Sequence, residues 1–280
     1  MLTKFIIDEV VDRALAEDLS GEDLTTLATV SEATQARGTA LAKSELVVCG
    51  GAVFQRVFER VADGLSFDSL AADGALLQAG SPMWVVEGSA RAILMAERTA
   101  LNIVQRMSGT ATLARRYVSA LPPGSKTRIV DTRKTTPGMR ALERYAVRCG
   151  GAHNHRDTLS SAVLIKDNHI EAAGSISEAV RRARAYAPHT TKIEIEVESL
   201  AGLDEALSAG AEVIMLDNFA PGAIQSAVER ARGKALIEVS GGITLPRIAE
   251  LAAHGVDVIS VGALTHSAPA ADISLDIQRL

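Results

Sequence analysis

Two rhythms of apolar and polar positions run along this 280-residue chain. The opening stretch, MLTKFIIDEVVDRALAED, spaces its apolar residues three and four apart. It predicts an amphipathic helix to about Asp18, followed by a loop at SGEDLTT. Strand-like runs follow at TALAKSELVVCGG and MWVVEGSA, with the helical GAVFQRVFERVA between them. A long helical stretch, ARAILMAERTALNIVQRMSG, comes next, and none of this forms a regular repeat.

From about residue 126 short strand-like runs alternate with helical ones: TRIVDT, AVLIKD, KIEIEVE, EVIMLDN, ALIEVSGG and DVISVGA. The helices between them carry start signals, a capping box at Ser175 with Glu178 and prolines at Pro221 and Pro246. Links this short imply parallel strands, in an α/β barrel or a doubly wound sheet. The polar residues decide between the two. Each strand ends in them: Asp131, Lys166, Glu196 and Glu198, Asp217, Ser240-Gly241-Gly242, and Gly262. In a barrel all strand ends converge on one mouth, whereas a doubly wound sheet gathers ligand groups at one crevice. Six consecutive chemical ends favour the barrel. Six strands are fewer than eight, so the barrel is incomplete, or a strand hides in residues 150–162.

KIEIEVE places Glu194, Glu196 and Glu198 on one face and Ile193, Ile195 and Val197 on the other. Parallel strands under helices normally read as continuous apolar runs. The strand is therefore an exposed edge, or its glutamates face into the barrel toward Lys134, Lys166 or a divalent metal. Asp217 is placed to join such a metal, and Mg²⁺ is usually held this way, by few protein oxygens and many substrate ones. Two strand-glycine-helix junctions, at Ser240-Gly241-Gly242 and at Gly262, read as tight turns or as backbone cradles for a phosphate.

Charge narrows the ligand. The chain carries a net charge of -5, yet residues 131–156 hold six Lys/Arg, two His and only two acids. Arg133, Lys134 and His153 to Arg156 flank turns, where guanidinium forks suit carboxylates and phosphates. A polyanionic small molecule is the expected ligand. The acidic balance and 3% aromatic content argue against nucleic acid. No apolar run reaches membrane-spanning length, and the acidic start is no signal peptide. Cys49 and Cys149, a hundred residues apart without metal-ligand spacing, read as two reduced thiols of a cytoplasmic protein. No nucleophile motif emerges. Lys166 could form a Schiff base, as in a barrel lyase, or pair with Asp167 or a barrel glutamate.

Eight co-linear blocks carry a resemblance: ERTALNIVQRMSGTAT, DTRKTTPGMR, YAVRCGGAHNHR, LIKDNHI, EIEVE, IMLDN, VSGGIT and ISVGALTHS, across about residues 97–276. Together with AEDL and GEDLTT near residue 20, they resemble the quinolinate phosphoribosyltransferases. The resemblance implies an N-terminal α/β sandwich (1–108, joined by 268–280) and an incomplete α/β barrel (109–267). It implies condensation of quinolinate with phosphoribosyl pyrophosphate, dependent on Mg²⁺, in NAD biosynthesis. A related barrel phosphoribosyltransferase acting on another anion is the alternative. By position, Arg133, Arg156 and Lys166 resemble the dicarboxylate clamp, with His155 beside it and Lys134 near the phosphates and reacting centre. Glu196 and Asp217 resemble the pair serving the ribose hydroxyls and Mg²⁺. Ser240, Gly241, Gly242 and Gly262 resemble the 5′-phosphate cradle, with His266 just beyond. Arg98 resembles a residue supplied by a neighbouring subunit, implying a homodimer or hexamer. Ala152, Val239 and Ser199 depart from the family pattern without removing a charged site residue.

Overall fold

The computed structural model describes residues 2–280. In chain order the elements are α1 (Lys4–Asp18), α2 (Leu24–Thr29), β1 (Gln35–Ala42), β2 (Leu46–Val47), α3 (Gly51–Val61), β3 (Ser66–Ser69), β4 (Leu76–Leu77), β5 (Pro82–Ser89) and α4 (Ala90–Ser119). They continue with β6 (Arg128–Val130), α5 (Arg140–Cys149), β7 (Val163–Ile165), α6 (Asp167–Ala173), α7 (Ile176–Tyr186), β8 (Ile193–Val197), α8 (Leu200–Ser208), β9 (Val213–Asp217) and α9 (Pro221–Ala231). The last are β10 (Leu236–Ser240), α10 (Ile248–Ala253), β11 (Val258–Ser260), α11 (Ala263–His266) and β12 (Ile273–Arg279).

The chain forms two compact units. The first gathers the residues up to Arg115, Thr135–Gly151 and Ala263–Leu280. The sequence-based boundary at 108 kept residues 135–151 with the barrel; by contacts they belong to the first unit, and the cationic segment is divided at Lys134 and Ala152. An antiparallel sheet in the order β12-β1-β5-β3 forms its base, with Ala36 opposite Arg279 and Ala42 opposite Ile273. One face of β1 is buried through Ala36, Ala40 and Ala42. Helices α1, α3 and α4 supply Val11, Phe54, Phe58, Ile93, Val104 and Met107 to the same core, beside Trp84. The loop expected at SGEDLTT is shorter than predicted, because the Asp23 carboxylate accepts the Thr26 N–H at 3.0 Å and starts α2.

The second unit, Arg116–Lys134 with Ala152–Gly262, holds all six strands expected from the alternating pattern. They form one parallel sheet, β6-β11-β10-β9-β8-β7. The strand sought in residues 150–162 shrinks to a single parallel bridge between Val130 and His153, so the barrel is open beside β7. β8 pairs on both sides, with β7 and β9, which excludes the exposed-edge reading of KIEIEVE. Its Ile193, Ile195 and Val197 are buried. The capping box at α7 is half formed: Ser175 accepts the Glu178 N–H, while the Glu178 carboxylate turns to Arg181 and Arg182.

Candidate active site

Parallel pairing sends the C-terminal ends of the second unit's strands to one side, and the sequence puts its chemistry there. Asp131, following β6, is fully buried and accepts from Asn154 Nδ2 at 2.6 Å and the His155 N–H at 2.7 Å. With the Val130–His153 bridge, this lashes the AHNHR segment alongside β6. A buried carboxylate taking charge-assisted bonds from two sides fixes the backbone that presents His155 and Arg156.

His155 Nε2 lies 3.2 Å from Glu194 and 3.5 Å from Glu238. Ser260, on the next strand, donates to Glu238. Burial works against a charged imidazole here, but the bonds to Glu194 and Glu238 outweigh it and push His155 up to about 10. The Arg156 N–H points at Nδ1 from 2.7 Å and opposes a proton there. In either protonation state the Nε2 hydrogen sits between the two glutamates. Burial, reinforced by the Glu238 charge and only partly offset by His155, pushes Glu194 above the usual carboxylate range.

Arg156 is half-buried, with NH1 donating to the Ala162 carbonyl at 3.0 Å. Burial first, then the nearby positive charge of Arg133, pushes its guanidinium down. Two guanidiniums close enough to oppose one another make a place where an anion is favoured. Lys166, at the N-terminus of α6, pairs with Glu196 rather than with Asp167. Asp217 is raised by burial and then by Glu196 and Glu198, with Lys166 and Lys134 pulling the other way. Asp217, Glu196 and Glu198 thus make an acid-rich corner at these strand ends.

Gly241 abuts that corner. Its φ is +88°, and a Cβ there would lie 2.8 Å from Asn218 Oδ1 and 3.0 Å from Asp217 Oδ1. Asn218 itself takes φ 53° and donates to Asp217 at 2.8 Å. Only glycine fits. Gly242, at φ +56°, continues a left-handed turn whose N–H groups suit an anion. Gly262 follows β11 in the same unit. The helices after these glycines are short, α10 with six residues and α11 with four, so backbone N–H groups rather than a long helix dipole would do the binding.

Arg98 and His266 belong to the first unit. Arg98 is exposed on α4, and His266, exposed on α11, shares a 2.6 Å hydrogen bond with Ser267 Oγ. Three features escaped the sequence reading. Asp131 was noted only as a strand end. Glu238 was missed, although an acid inside the apolar run ALIEVSGG was its signal. The third is Glu143 in α5, fully buried, which accepts from Arg106 at 3.0 Å, from Thr136 N–H at 3.0 Å and from Thr136 Oγ1 at 2.7 Å. A separate cavity of about 570 Å³ opens at the opposite, N-terminal ends of β8–β10, where Glu212 and Asp257 cap the Ile193 and Ile237 amides. Lys192, Arg232, Lys234 and His254 line it beside those two acids, away from the C-terminal strand ends.

Cations that flank carboxylates and glycine turns at the strand ends of a parallel α/β unit define an enzyme for phosphorylated or carboxylated small molecules. The chain belongs to the quinolinate phosphoribosyl transferase family, whose C-terminal domain matches residues 110–276 and whose N-terminal domain matches residues 23–108. It is 46% identical over 275 residues to the nicotinate-nucleotide pyrophosphorylase [carboxylating] of Mycobacterium leprae (strain TN), covering 96% of each chain. The Homo sapiens protein of the same name is 38% identical, with 99% of this chain and 93% of that one covered. Among solved structures, NadC from Streptococcus pyogenes superposes with a TM-score of 0.96 at 42% identity, over 100% of this chain and 99% of that chain. The nicotinate-nucleotide pyrophosphorylase from Francisella tularensis gives 0.95 at 39%, over 99% and 98%. No helix among the described residues is long and apolar enough to cross a membrane.

Proposed function

We propose that this chain transfers the phosphoribosyl group of phosphoribosyl pyrophosphate to quinolinate, releasing pyrophosphate and CO₂ and leaving nicotinate mononucleotide. Membership of the family gives the activity, and one observation carries its assignment to this site. Arg156, pushed down by burial first and then by the charge of Arg133, stands at strand ends whose carboxylates are already engaged by His155 and Lys166. A dicarboxylate relieves that repulsion with paired oxygens.

In this reading Arg133, Arg156 and Lys166 hold quinolinate so that its ring nitrogen faces the anomeric carbon. The nitrogen lone pair forms the new N–C bond as the C–O bond to pyrophosphate breaks. Lys134 meets charge developing on the leaving group. Ser240, Gly241, Gly242 and Gly262 take the 5′-phosphate through backbone N–H groups. Alkylation leaves the ring nitrogen positive. The electron pair released with CO₂ then rests on the adjacent carbon until a proton arrives. His155, with its Nε2 hydrogen fixed between two glutamates and its Nδ1 facing the Arg156 N–H, holds in place the segment that presents Arg156; positioning carries much of the rate.

Mg²⁺ fits the acid-rich corner: Glu196 and Asp217 would hold it, and Asp217 is raised by burial first and then by the charges of Glu196 and Glu198 against the pull of the two lysines. Bound there, it supplies electrostatic stabilisation of the phosphate oxygens. Arg98, exposed on its helix, is proposed to complete a neighbouring subunit's site in a homodimer or hexamer. The test is turnover of the purified chain with quinolinate, phosphoribosyl pyrophosphate and Mg²⁺, following pyrophosphate and nicotinate mononucleotide together. Stoichiometric appearance of both is expected. Tight binding of both substrates without turnover would overturn the proposal.

A further inference from the structure

Cys49 and Cys149 are remote in sequence and serve no step above, yet the first unit brings them together. Their sulfurs and an Asp73 carboxylate oxygen all lie within 4.8 Å of one another. Cys49, at the junction of β2 and α3, is fully buried; Cys149, the last residue of α5, is half-buried. The junction is rigid. Asp73 accepts the Gly50 N–H at 3.0 Å and the Gly51 N–H at 3.1 Å, capping α3, whose own Gly50 N-cap has no side chain to do so. Tyr145, one turn before Cys149, donates to Asp73 Oδ2 at 2.8 Å. Cys49 is pinned at its backbone by Ser108, whose hydroxyl accepts its N–H and donates to its carbonyl.

Three groups with metal-ligand atoms invite a metal reading, but Asp73 already accepts from three donors, the Gly50 N–H shared by both oxygens, the Gly51 N–H at Oδ1 and the Tyr145 hydroxyl at Oδ2, which a metal would have to displace. Two sulfurs remain, brought within 4.8 Å of one another by separate elements. We infer that Cys49 and Cys149 form a dithiol site for thiol–disulfide exchange, in which Cys149 meets a small disulfide such as oxidised glutathione and Cys49 resolves the adduct.

The two thiols differ as the roles require. Cys149 is lowered, first by a hydrogen bond from Cys49 and then by Tyr145, against burial and the Asp73 charge. Burial, then Cys149, pushes Cys49 well up. The more exposed sulfur is therefore the better thiolate, and the buried one keeps its proton until the second step. In the first step the Cys149 thiolate attacks one glutathione sulfur, forming a mixed disulfide and releasing one glutathione thiolate. Cys49 then gives its proton to the second departing glutathione and bonds to Cys149 Sγ. Two protein thiols are oxidised and one small disulfide is reduced to two thiols. The closed disulfide would tether the end of α5 to the start of α3. It depends on no catalytic assignment made above.

Fully reduced protein is exposed to oxidised glutathione, quenched in acid, alkylated and weighed intact, with peptide mapping. The wild-type chain should lose two hydrogens and both alkylatable thiols, and dithiothreitol should restore them. Cys49→Ser should stop at a single glutathione adduct on Cys149, and Cys149→Ser should keep its Cys49 thiol. Circular dichroism checks that both variants fold, and the wild-type arm decides alone if they do not. A wild-type chain that keeps both thiols, or that holds a stable adduct without closing, overturns the inference. So does an adduct first seen on Cys49.

Discussion

Replacing Glu143 with alanine removes a fully buried carboxylate that meets Arg106 and Thr136 at once. Removing one partner of a buried ion pair costs about 3–5 kcal/mol, because the other charge is stranded. Two features of this pair move the expectation to the low end. The Arg106 side chain is 25% exposed, and it keeps bonds to the Ala268 carbonyl at 2.7 Å and to the Thr265 carbonyl. Thr136 is exposed, so water replaces its lost acceptor. About 3 kcal/mol is therefore expected for Glu143→Ala, and about 1 kcal/mol for Thr136→Ala, which loses hydrogen bonds only. The assay is urea unfolding followed by the fluorescence of Trp84. It is the chain's single tryptophan and is buried in the same unit as Glu143, so the signal reports that unit. Thr136 stands two residues after Lys134 in the chain, so Thr136→Ala should also raise KM for phosphoribosyl pyrophosphate at near-normal stability. A Glu143→Ala chain within about 1 kcal/mol of wild type would refute the reasoning, since a three-quarters-buried guanidinium that loses its counter-ion should cost more than that.

Arg156→Ala should weaken quinolinate binding by about 2–5 kcal/mol with the fold intact, because a desolvated carboxylate loses a bidentate partner; unchanged affinity in calorimetry would sink the clamp. His155 is raised from 6.5 to about 10, so its contribution to stability is fully present below about pH 6.5 and is lost as pH rises through about 10. Glu194→Gln should therefore destabilise the chain more at pH 6 than at pH 10 in chemical denaturation, and the reverse order would contradict the pairing. Gly241→Ala meets Asn218 at 2.8 Å with an unfavourable φ, and should abolish turnover while circular dichroism stays native; wild-type kinetics in that variant would remove the turn from the site. Mixing inactive Arg98→Ala and Lys134→Ala chains should restore part of the activity if sites are shared between subunits, and verified mixed oligomers without activity would count against sharing.

The parallel strands were legible because burial on both faces writes apolar runs, and because the chemistry is confined to their ends. TRIVDT, EVIMLDN and DVISVGA are β6, β9 and β11 with little adjustment. What escaped reading depends on partners that local pattern does not name. Glu143 lies in a helix with Arg140, Arg144 and Arg148, and a segment so rich in charge reads as a solvated face. Its cationic partner is Arg106, on a different helix. Cys49 and Cys149 meet only because α5 packs with the first unit, against the chain order that placed it between barrel strands.

KIEIEVE shows the same limit inside one strand. Period two puts Glu194, Glu196 and Glu198 on one face but cannot rank them. Each step of two residues moves a side chain about 6.6 Å along the barrel toward its mouth. Depth then sets what each carboxylate requires. Glu194, deepest and buried, is matched by the imidazole of His155, which the AHNHR segment carries in from beside β6. Glu196, half-buried, takes the flexible Lys166 from the adjacent strand end, a cation that can be given up when a substrate or metal arrives. Glu198, past the strand and exposed, reaches Asp217 through its field. Three identical residues thus become a fixed anchor, an exchangeable ligand and a background charge, and only the long-range packing of their cations separates them.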